Sequence, residues 1–207
     1  MKKVAIIDYG VGNMYSLHKA LKKFSNAFIT EEPEEMLTVD GIVLPGDGAF
    51  HAGMEGLRVR NLLDPLLARI SEGIPILGIC LGAQILLSKG FEFGESQGLD
   101  VIPGTVVKFP ETANAKIPHI NWSPIVAPSG VSWENTILEG IPLGAQVYFV
   151  HSFIIKPKNP VHLLATTTYG GTTFCSVVRK GSVYGCQFHP EKSGEVGLKI
   201  IENFLRV

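Results

Sequence analysis

Pro75-Ile76-Leu77-Gly78-Ile79-Cys80-Leu81-Gly82-Ala83-Gln84-Ile85-Leu86-Leu87 decides the fold of this chain. Pro75 to Ile79 is a short apolar run of the kind found in a strand buried on both faces. Gly78 and Gly82 bracket Cys80 at its end, and Ala83, Ile85, Leu86 and Leu87 then read as the apolar side of a helix. A strand that turns sharply into a helix is the unit from which parallel sheets are wound.

The same unit recurs toward the N-terminus. Val4-Ala5-Ile6-Ile7 is a second buried strand, stopped by Asp8-Tyr9-Gly10-Val11-Gly12-Asn13. Leu17, Ala20, Leu21 and Phe24 follow at helical spacing, Ala27-Phe28-Ile29 returns as a strand, and Gly41 to Leu44 is another, ended by Pro45-Gly46-Asp47-Gly48. Leu62, Leu63, Leu66, Leu67 and Ile70 mark a further helix. The first ninety residues thus predict a doubly wound α/β arrangement with a mostly parallel sheet flanked by helices.

Toward the C-terminus the pattern changes. Val147–Val150, Leu163–Thr168, Thr173–Val178 and Val183–Phe188 are strand-like, and Arg179-Lys180-Gly181-Ser182 offers a hairpin turn between the last two, so an antiparallel section is expected here. A closing helix carries Val196, Ile200, Ile201, Phe204 and Leu205 on one face. Pro124 to Gly130 reads as an exposed loop, and with no repeat and no linker the whole of 1–207 is expected to form one domain.

Composition narrows the function classes. Eighteen basic and nineteen acidic residues give a formal net charge of −1, which disfavours nucleic acid as a partner. Only four apolar residues separate Met1-Lys2-Lys3 from Asp8, too few for a signal-peptide core, and the apolar stretch from Gly73 to Leu87 is too short to span a bilayer. Three cysteines, Cys80, Cys175 and Cys186, make no disulfide framework. The expectation is a soluble cytoplasmic protein.

The chemistry is concentrated in two segments. Gly78-Ile79-Cys80-Leu81-Gly82 has the form of a nucleophile elbow with sulfur as the nucleophile, held where a helix begins. A buried structural cysteine in a strand–helix turn has the same pattern. Gln187-Phe188-His189-Pro190-Glu191 supplies what the cysteine needs. If the chain stays extended through Pro190, His189 and Glu191 share a side, one serving as base and the other orienting it. An α/β-hydrolase would place its acid before the histidine, so this order argues against a thioester or lactone hydrolase. His51, His119, His151 and His162 lack the spacing of a zinc site, no metal or other cofactor is expected, and His18 is expected on an exposed helix face. Cys175 and Cys186 fall in strand-like runs and read as core, and Gly10-Val11-Gly12 lacks the third glycine of a dinucleotide fingerprint.

These segments, together with Leu44-Pro45-Gly46-Asp47-Gly48-Ala49-Phe50, Lys116-Ile117-Pro118-His119, Tyr148-Phe149-Val150-His151-Ser152-Phe153 and Lys192-Ser193-Gly194, resemble the class I (triad-type) glutamine amidotransferases nearly end to end, and among them the glutaminase subunits of imidazole glycerol phosphate synthase. The resemblance implies a flavodoxin-like fold and a triad of Cys80, His189 and Glu191. It implies an oxyanion hole from Leu81 and the Asp47–Gly48 segment, and substrate contacts from Gly46, Gln84, Glu92 and Ser152. It also implies L-glutamine as substrate and a heterodimer with a (βα)8-barrel cyclase that takes the ammonia, Asn13, Trp122, Tyr148 and Lys192 facing that partner. The alternatives are a glutaminase subunit for another acceptor and a non-catalytic subunit of the same fold. Two positions depart from the family: Asp47, where valine is usual, and Asn121-Trp122-Ser123, where Gly-Trp-Asn is usual. A carboxylate at position 47 aimed inward would oppose a developing oxyanion, so Asp47 is expected to face its loop or solvent.

Overall fold

The computed structural model describes residues 1–12, 14–110 and 115–207. Strands and helices run β1 (Lys3–Ile7), α1 (Tyr15–Leu21), β2 (Asn26–Thr30), β3 (Gly41–Leu44), α2 (Phe50–Val59), α3 (Leu63–Ser71), β4 (Ile76–Ile79), α4 (Leu81–Ile85) and β5 (Leu87–Gly90). They continue as β6 (Ser96–Gln97), β7 (Ile102–Lys108), β8 (His119–Pro124), β9 (Gln146–His151), β10 (Phe153–Pro157), β11 (Leu163–Tyr169), β12 (Thr172–Lys180), β13 (Val183–Cys186) and α5 (Gly194–Phe204).

Among the described residues, eleven strands form one sheet in the order β2-β1-β3-β4-β13-β12-β10-β7-β5-β6, with β11 beside β12; β8 and β9 form a separate antiparallel pair. Neighbours from β2 to β13 are parallel, and β12, β10 and β11 are antiparallel. Both faces of the parallel half are covered. Val4 and Ile6 join an apolar cluster with Phe149, Phe188 and Ile200, while Ala5 and Ile7 join another with Leu44, Met54 and Leu81. Burial on both sides removes any alternation from the sequence, which is why β1, β3 and β4 read as continuous apolar runs.

The parallel half sets up the site. The chain leaves the carboxyl ends of β1, β3 and β4 as Tyr9, Pro45–Gly48 and Cys80, and three residues past β13 it reaches His189. Ligands of doubly wound sheets bind at such carboxyl ends. Close packing of α4 on this sheet needs the bracketing glycines. A Cβ on Gly82 would lie 1.9 Å from the Leu44 carbonyl oxygen, and one on Gly78 would lie 2.5 Å from the carbonyl oxygen of Gly82.

Several elements differ from the sequence expectation. The helix after Cys80 ends at Ile85, and Leu87, expected on it, instead opens β5 and pairs with Ile102 of β7. Ile85, Leu86 and Leu87 are all fully buried, so no polar face marks where helix gives way to strand. Helix α2 and strands β5–β8 and β10 carry no expectation in the sequence reading. Helix α1 stops at Leu21, a turn before Phe24, and His18 is half-buried rather than exposed, its Nε2 3.1 Å from the carbonyl oxygen of Ala27. β13 stops at Cys186, short of the expected Phe188. The hairpin is as expected, Lys180 pairing with Val183 across Gly181-Ser182. No helix among the described residues is long and apolar enough to cross a membrane.

Candidate active site

Cys80 sits at the last turn of β4 into α4 with φ 52° and ψ −107°. This region is costly for a residue with a Cβ, and it persists only where surroundings over-determine it. Here the Cys80 N–H donates to the Cys186 carbonyl of β13 at 2.8 Å, and its own carbonyl accepts from Gln84 N–H at 3.1 Å. The sulfur, 8 % exposed as a residue, lies 3.8 Å from the Val150 carbonyl oxygen, and Gln187 Nε2 stands 3.9 Å from it.

The residues after β13 bring the imidazole to that sulfur. His189 is not the continuation of a strand. Gln187 and Phe188 bend, and Pro190–Lys192 forms a single 3₁₀ turn. The extended path expected through Pro190 is therefore absent, and the two side chains meet for another reason: the tight turn brings Glu191 back beneath His189. Glu191 Oε1 is 2.8 Å from His189 Nδ1, with side-chain exposures of 6 % and 3 %. The turn is held by Ser193, whose hydroxyl donates to the His189 carbonyl at 2.6 Å and accepts from Tyr148 N–H at 3.0 Å. His189 N–H donates to the Tyr148 carbonyl at 2.9 Å, so β9 and the His189 turn are locked together.

On the other side of the ring, His189 Nε2 faces Cys80. It has no hydrogen-bond partner, and its nitrogen, the Cys80 sulfur and an Asp47 carboxylate oxygen all lie within 4.8 Å of one another. Burial works against charging this ring, but the Cys80 sulfur beside Nε2 and the hydrogen bond to Glu191 overcome it and push the imidazole up to about 10. The ring is then a cation at neutral pH, held between sulfur and carboxylate.

Asp47 departs from its expected orientation. Its side chain is 46 % exposed, yet Oδ1 reaches to 3.6 Å from His189 Nε2. The physical reason is the cationic ring, which attracts the carboxylate across the mouth of the site.

The Pro45–Gly48 segment is packed tightly at Gly46. A Cβ there would come 2.8 Å from the Tyr9 hydroxyl and 2.9 Å from Leu81 Cβ. Tyr9 is fully buried and donates to the Pro45 carbonyl; burial pushes its hydroxyl far above the usual range, so it remains a donor. Leu81 N–H donates to the Gly46 carbonyl oxygen at 3.3 Å. Gly12 at φ +94° passes so close that a Cβ would meet the Asp47 nitrogen at 3.0 Å.

A cleft of about 630 Å³ opens onto Cys80, and Asp47, Gly48, Gln84, Glu92, Ser152, Tyr148 and Lys192 all line it. Gln84 is 5 % exposed, with its amide nitrogen 3.4 Å from the Phe153 carbonyl and 3.2 Å from Gln187 Oε1. Glu92 accepts from the Phe50 N–H at the start of α2 at 2.8 Å, so one carboxylate oxygen is occupied there. Trp122, 47 % exposed, meets Tyr148 edge-on with ring centroids 6.1 Å apart. Trp122, Tyr148 and Lys192 therefore gather at one mouth; Asn13, the fourth residue expected there, lies outside the described residues. Cys175 and Cys186 are buried, with burial pushing both thiols up, away from reactivity.

Three contributors escape a reading of the sequence. Gln187 bridges Gln84 and the sulfur, Ser193 fixes the histidine turn, and Tyr9 supports the Gly46 loop. Gln187 and Ser193 belong to or adjoin the histidine segment, and Tyr9 lies in the Asp8–Asn13 stretch, so their segments were the available signal although their roles were not. Behind the cleft lies a buried polar chain. The Phe153 carbonyl fixes His151 Nδ1 as a donor (2.8 Å), so His151 Nε2 accepts from His119 Nδ1 (3.0 Å) and His119 Nε2 accepts from the Ser123 hydroxyl (2.9 Å). Both rings are neutral, burial lowering His119 to about 4 and His151 to about 3.

Comparison with known proteins agrees with this geometry. The family model described as "Glutamine amidotransferase class-I" matches residues 5–207. Imidazole glycerol phosphate synthase subunit HisH 1 of Legionella pneumophila (strain Paris) is 48 % identical over 213 residues, covering 100 % of both chains. The HisH subunit of Methanosarcina barkeri is 44 % identical, covering 99 % of this chain and 98 % of its own. Among solved structures, PurLQS from Thermotoga maritima superposes with a TM-score of 0.75 at 17 % identity, over 100 % of this chain and 99 % of that one, a likeness of fold. On sequence, fold and the cysteine–histidine elbow together, the chain belongs to the class-I glutamine amidotransferase family.

Proposed function

We infer that this chain is the glutaminase subunit of an imidazole glycerol phosphate synthase in histidine biosynthesis. The observation that carries the reading is the Cys80–His189–Glu191 constellation opening onto a cleft of about 630 Å³, in a chain 48 % identical from end to end to a HisH subunit.

Cys80 attacks the side-chain amide carbon of glutamine as the thiolate of an ion pair, its proton already resting on His189. The imidazolium then gives that proton to the departing nitrogen, releasing ammonia and leaving a γ-glutamyl thioester. Water, deprotonated by His189, opens the thioester, and glutamate leaves with the imidazolium restored beside the sulfur. Glu191 accepts from Nδ1–H throughout, fixing the tautomer that directs Nε2 at the sulfur. Gln84, Glu92 and Ser152 hold the amino-acid end of the substrate along the cleft wall.

The tetrahedral intermediate needs donors aimed at one oxygen. Leu81 N–H is one, but it is occupied by the Gly46 carbonyl. The Gly46 carbonyl and the Asp47 N–H belong to the same peptide. Turning that peptide over frees Leu81 N–H and delivers Asp47 N–H in one motion, with Gly48 giving the loop its freedom. The resting enzyme is therefore a poor glutaminase, and an activating partner favours the turned-over state. Gly12 packs on that amide, so the loop of residues 8–12 is placed to transmit partner contact.

The partner that fits is a (βα)8-barrel cyclase seated over Trp122, Tyr148 and Lys192, receiving ammonia directly from the cleft. Purified chain should hydrolyse glutamine slowly alone and much faster with such a cyclase and its ribotide ligand. Equal stimulation by synthases of other pathways, with none by the cyclase, would reassign the acceptor; absence of hydrolysis with any partner would leave a non-catalytic subunit.

A further inference from the structure

We propose that Cys80 Sγ, His189 Nε2 and Asp47 Oδ1 form a binding site for a zinc-class divalent metal that switches the nucleophile off. The proposal goes beyond the glutaminase reading and does not depend on which amide the enzyme cleaves.

The first observation is the unpartnered Nε2 of a residue only 2 % exposed, aimed into the space shared with sulfur and carboxylate. A buried ring nitrogen without a partner is costly unless something occupies the position. The second is spacing. All three donor atoms lie within 4.8 Å of one another, and Nε2 and Oδ1 are 3.6 Å apart. In a tetrahedral site with bonds of about 2.0–2.3 Å, neighbouring donors stand roughly 3.3–3.7 Å apart. The nitrogen–oxygen pair already has that separation, and the sulfur needs to close by about an ångström or less.

The surroundings are those of a metal site. Glu191 accepts from His189 Nδ1 at 2.8 Å, the carboxylate–histidine pairing that orients a metal-bound imidazole. Gln187 Nε2 stands 3.9 Å from the sulfur, as a hydrogen-bonding neighbour to a ligating thiolate would. One sulfur, one imidazole and one carboxylate select zinc or cobalt over magnesium or calcium, which prefer all-oxygen shells. Asp47, half in solvent, provides the route of entry, and the cleft leaves a fourth position open for water. The three ligands come from separate turns, after β3, after β4 and after β13, so no short spacing in the sequence announces them.

Coordination displaces the proton that sulfur and ring share, which leaves to solvent; nothing is oxidised or reduced and no bond to carbon forms. With the sulfur lone pair and Nε2 both on the metal, neither attack nor proton transfer can begin.

The test is metal binding by the full chain after chelator treatment, titrated with Zn²⁺ and separately with Co²⁺. The expected result is one equivalent bound, with a thiolate-to-cobalt charge-transfer absorption. Saturating Zn²⁺ should also slow alkylation of Cys80 by iodoacetamide by about tenfold or more, as expected when a ligand is withdrawn from solvent. Asp47→Asn, which keeps the side-chain shape at an exposed position, should weaken binding by about tenfold or more. Cys80→Ser should remove the charge-transfer band. Circular dichroism of each variant establishes that it is folded. A cobalt spectrum lacking the thiolate band, binding unchanged in Asp47→Asn, or no binding at micromolar Zn²⁺ would each overturn the site. None of these readouts requires glutamine turnover, so failure here and failure of the glutaminase reading are separable.

Discussion

The backbone N–H of Leu81 donates to the Gly46 carbonyl oxygen at 3.3 Å, placing an acceptor where the chemistry calls for a free donor. The loop that carries Gly46 is anchored by the buried Tyr9 hydroxyl on the Pro45 carbonyl. One short segment therefore determines whether a strained, well-placed cysteine can work.

Tyr9→Phe removes that anchor while keeping the ring that fills the space under Gly46. The Pro45 carbonyl loses its buried partner, at a cost of about 1–3 kcal/mol in stability. The loosened loop should turn over more readily, so glutamine hydrolysis without a partner should rise and the activation ratio should shrink. Steady-state rates with and without the cyclase, beside urea unfolding, measure both effects. A variant with lower stability and an unchanged ratio would detach Tyr9 from the loop's equilibrium.

At Cys80 the backbone conformation and the chemistry are separable. Cys80→Ala abolishes glutamine hydrolysis, and activity of the complex with free ammonium persists because acceptor chemistry lies in the partner. Both variants lack sulfur, but Cys80→Gly also relieves the φ of 52° and should be more stable than Cys80→Ala by about 1 kcal/mol. Comparing the two by thermal unfolding tests the strain directly; equal or reversed stabilities would show that the elbow stores none.

Glu191 and Ser193 hold His189 by different means. Glu191→Gln should lower the glutaminase kcat by up to about 10⁴-fold through the wrong tautomer. Ser193→Ala cuts the link between Tyr148 N–H and the His189 carbonyl, costing about 1–3 kcal/mol and lowering kcat with little change in KM. A KM effect alone would place Ser193 in substrate binding.

Stability should fall on both sides of neutrality, for opposite reasons. His119 and His151 have folded values near 4 and 3, below the unfolded value near 6.5, so the unfolded chain binds protons first and stability is lost as pH falls below about 6.5. His189, raised to about 10, contributes stability that is fully present below about 6.5 and is lost as pH rises toward 10. Urea midpoints from pH 4 to 10 should trace a maximum near neutrality. His189→Asn should flatten the alkaline limb and leave the acid limb in place.

Much of this protein follows from local sequence alone. Runs such as Val4–Ile7 and Gly41–Leu44 are apolar throughout because both faces of their strands are covered; Gly82 is required because helix α4 lies against the Leu44 carbonyl, and Gly78 because the Gly82 carbonyl of α4 lies against β4. The cysteine and its histidine partner were legible for the same reason: each sits where a buried run stops, and a run of that kind can end only at the sheet's carboxyl edge or its opposite. What local sequence could not decide was direction and contact. Ile85-Leu86-Leu87 is buried on every side, so the switch from helix to strand depends on β7 being present to pair with Leu87. His189 and Glu191 meet through a 3₁₀ turn braced by Ser193, although strand alternation predicted the same meeting by another path. Asp47 turns toward the site only because a buried imidazolium, assembled from a segment 142 residues farther along, supplies the attraction. The state of the Gly46 peptide depends on Leu81 and Tyr9 closing around it from two other strands' ends. Periodicity and turn chemistry act over a few residues and are written in order along the chain. Electrostatic attraction and steric closure act over a few ångströms in space, and folding alone decides which residues fall within that reach.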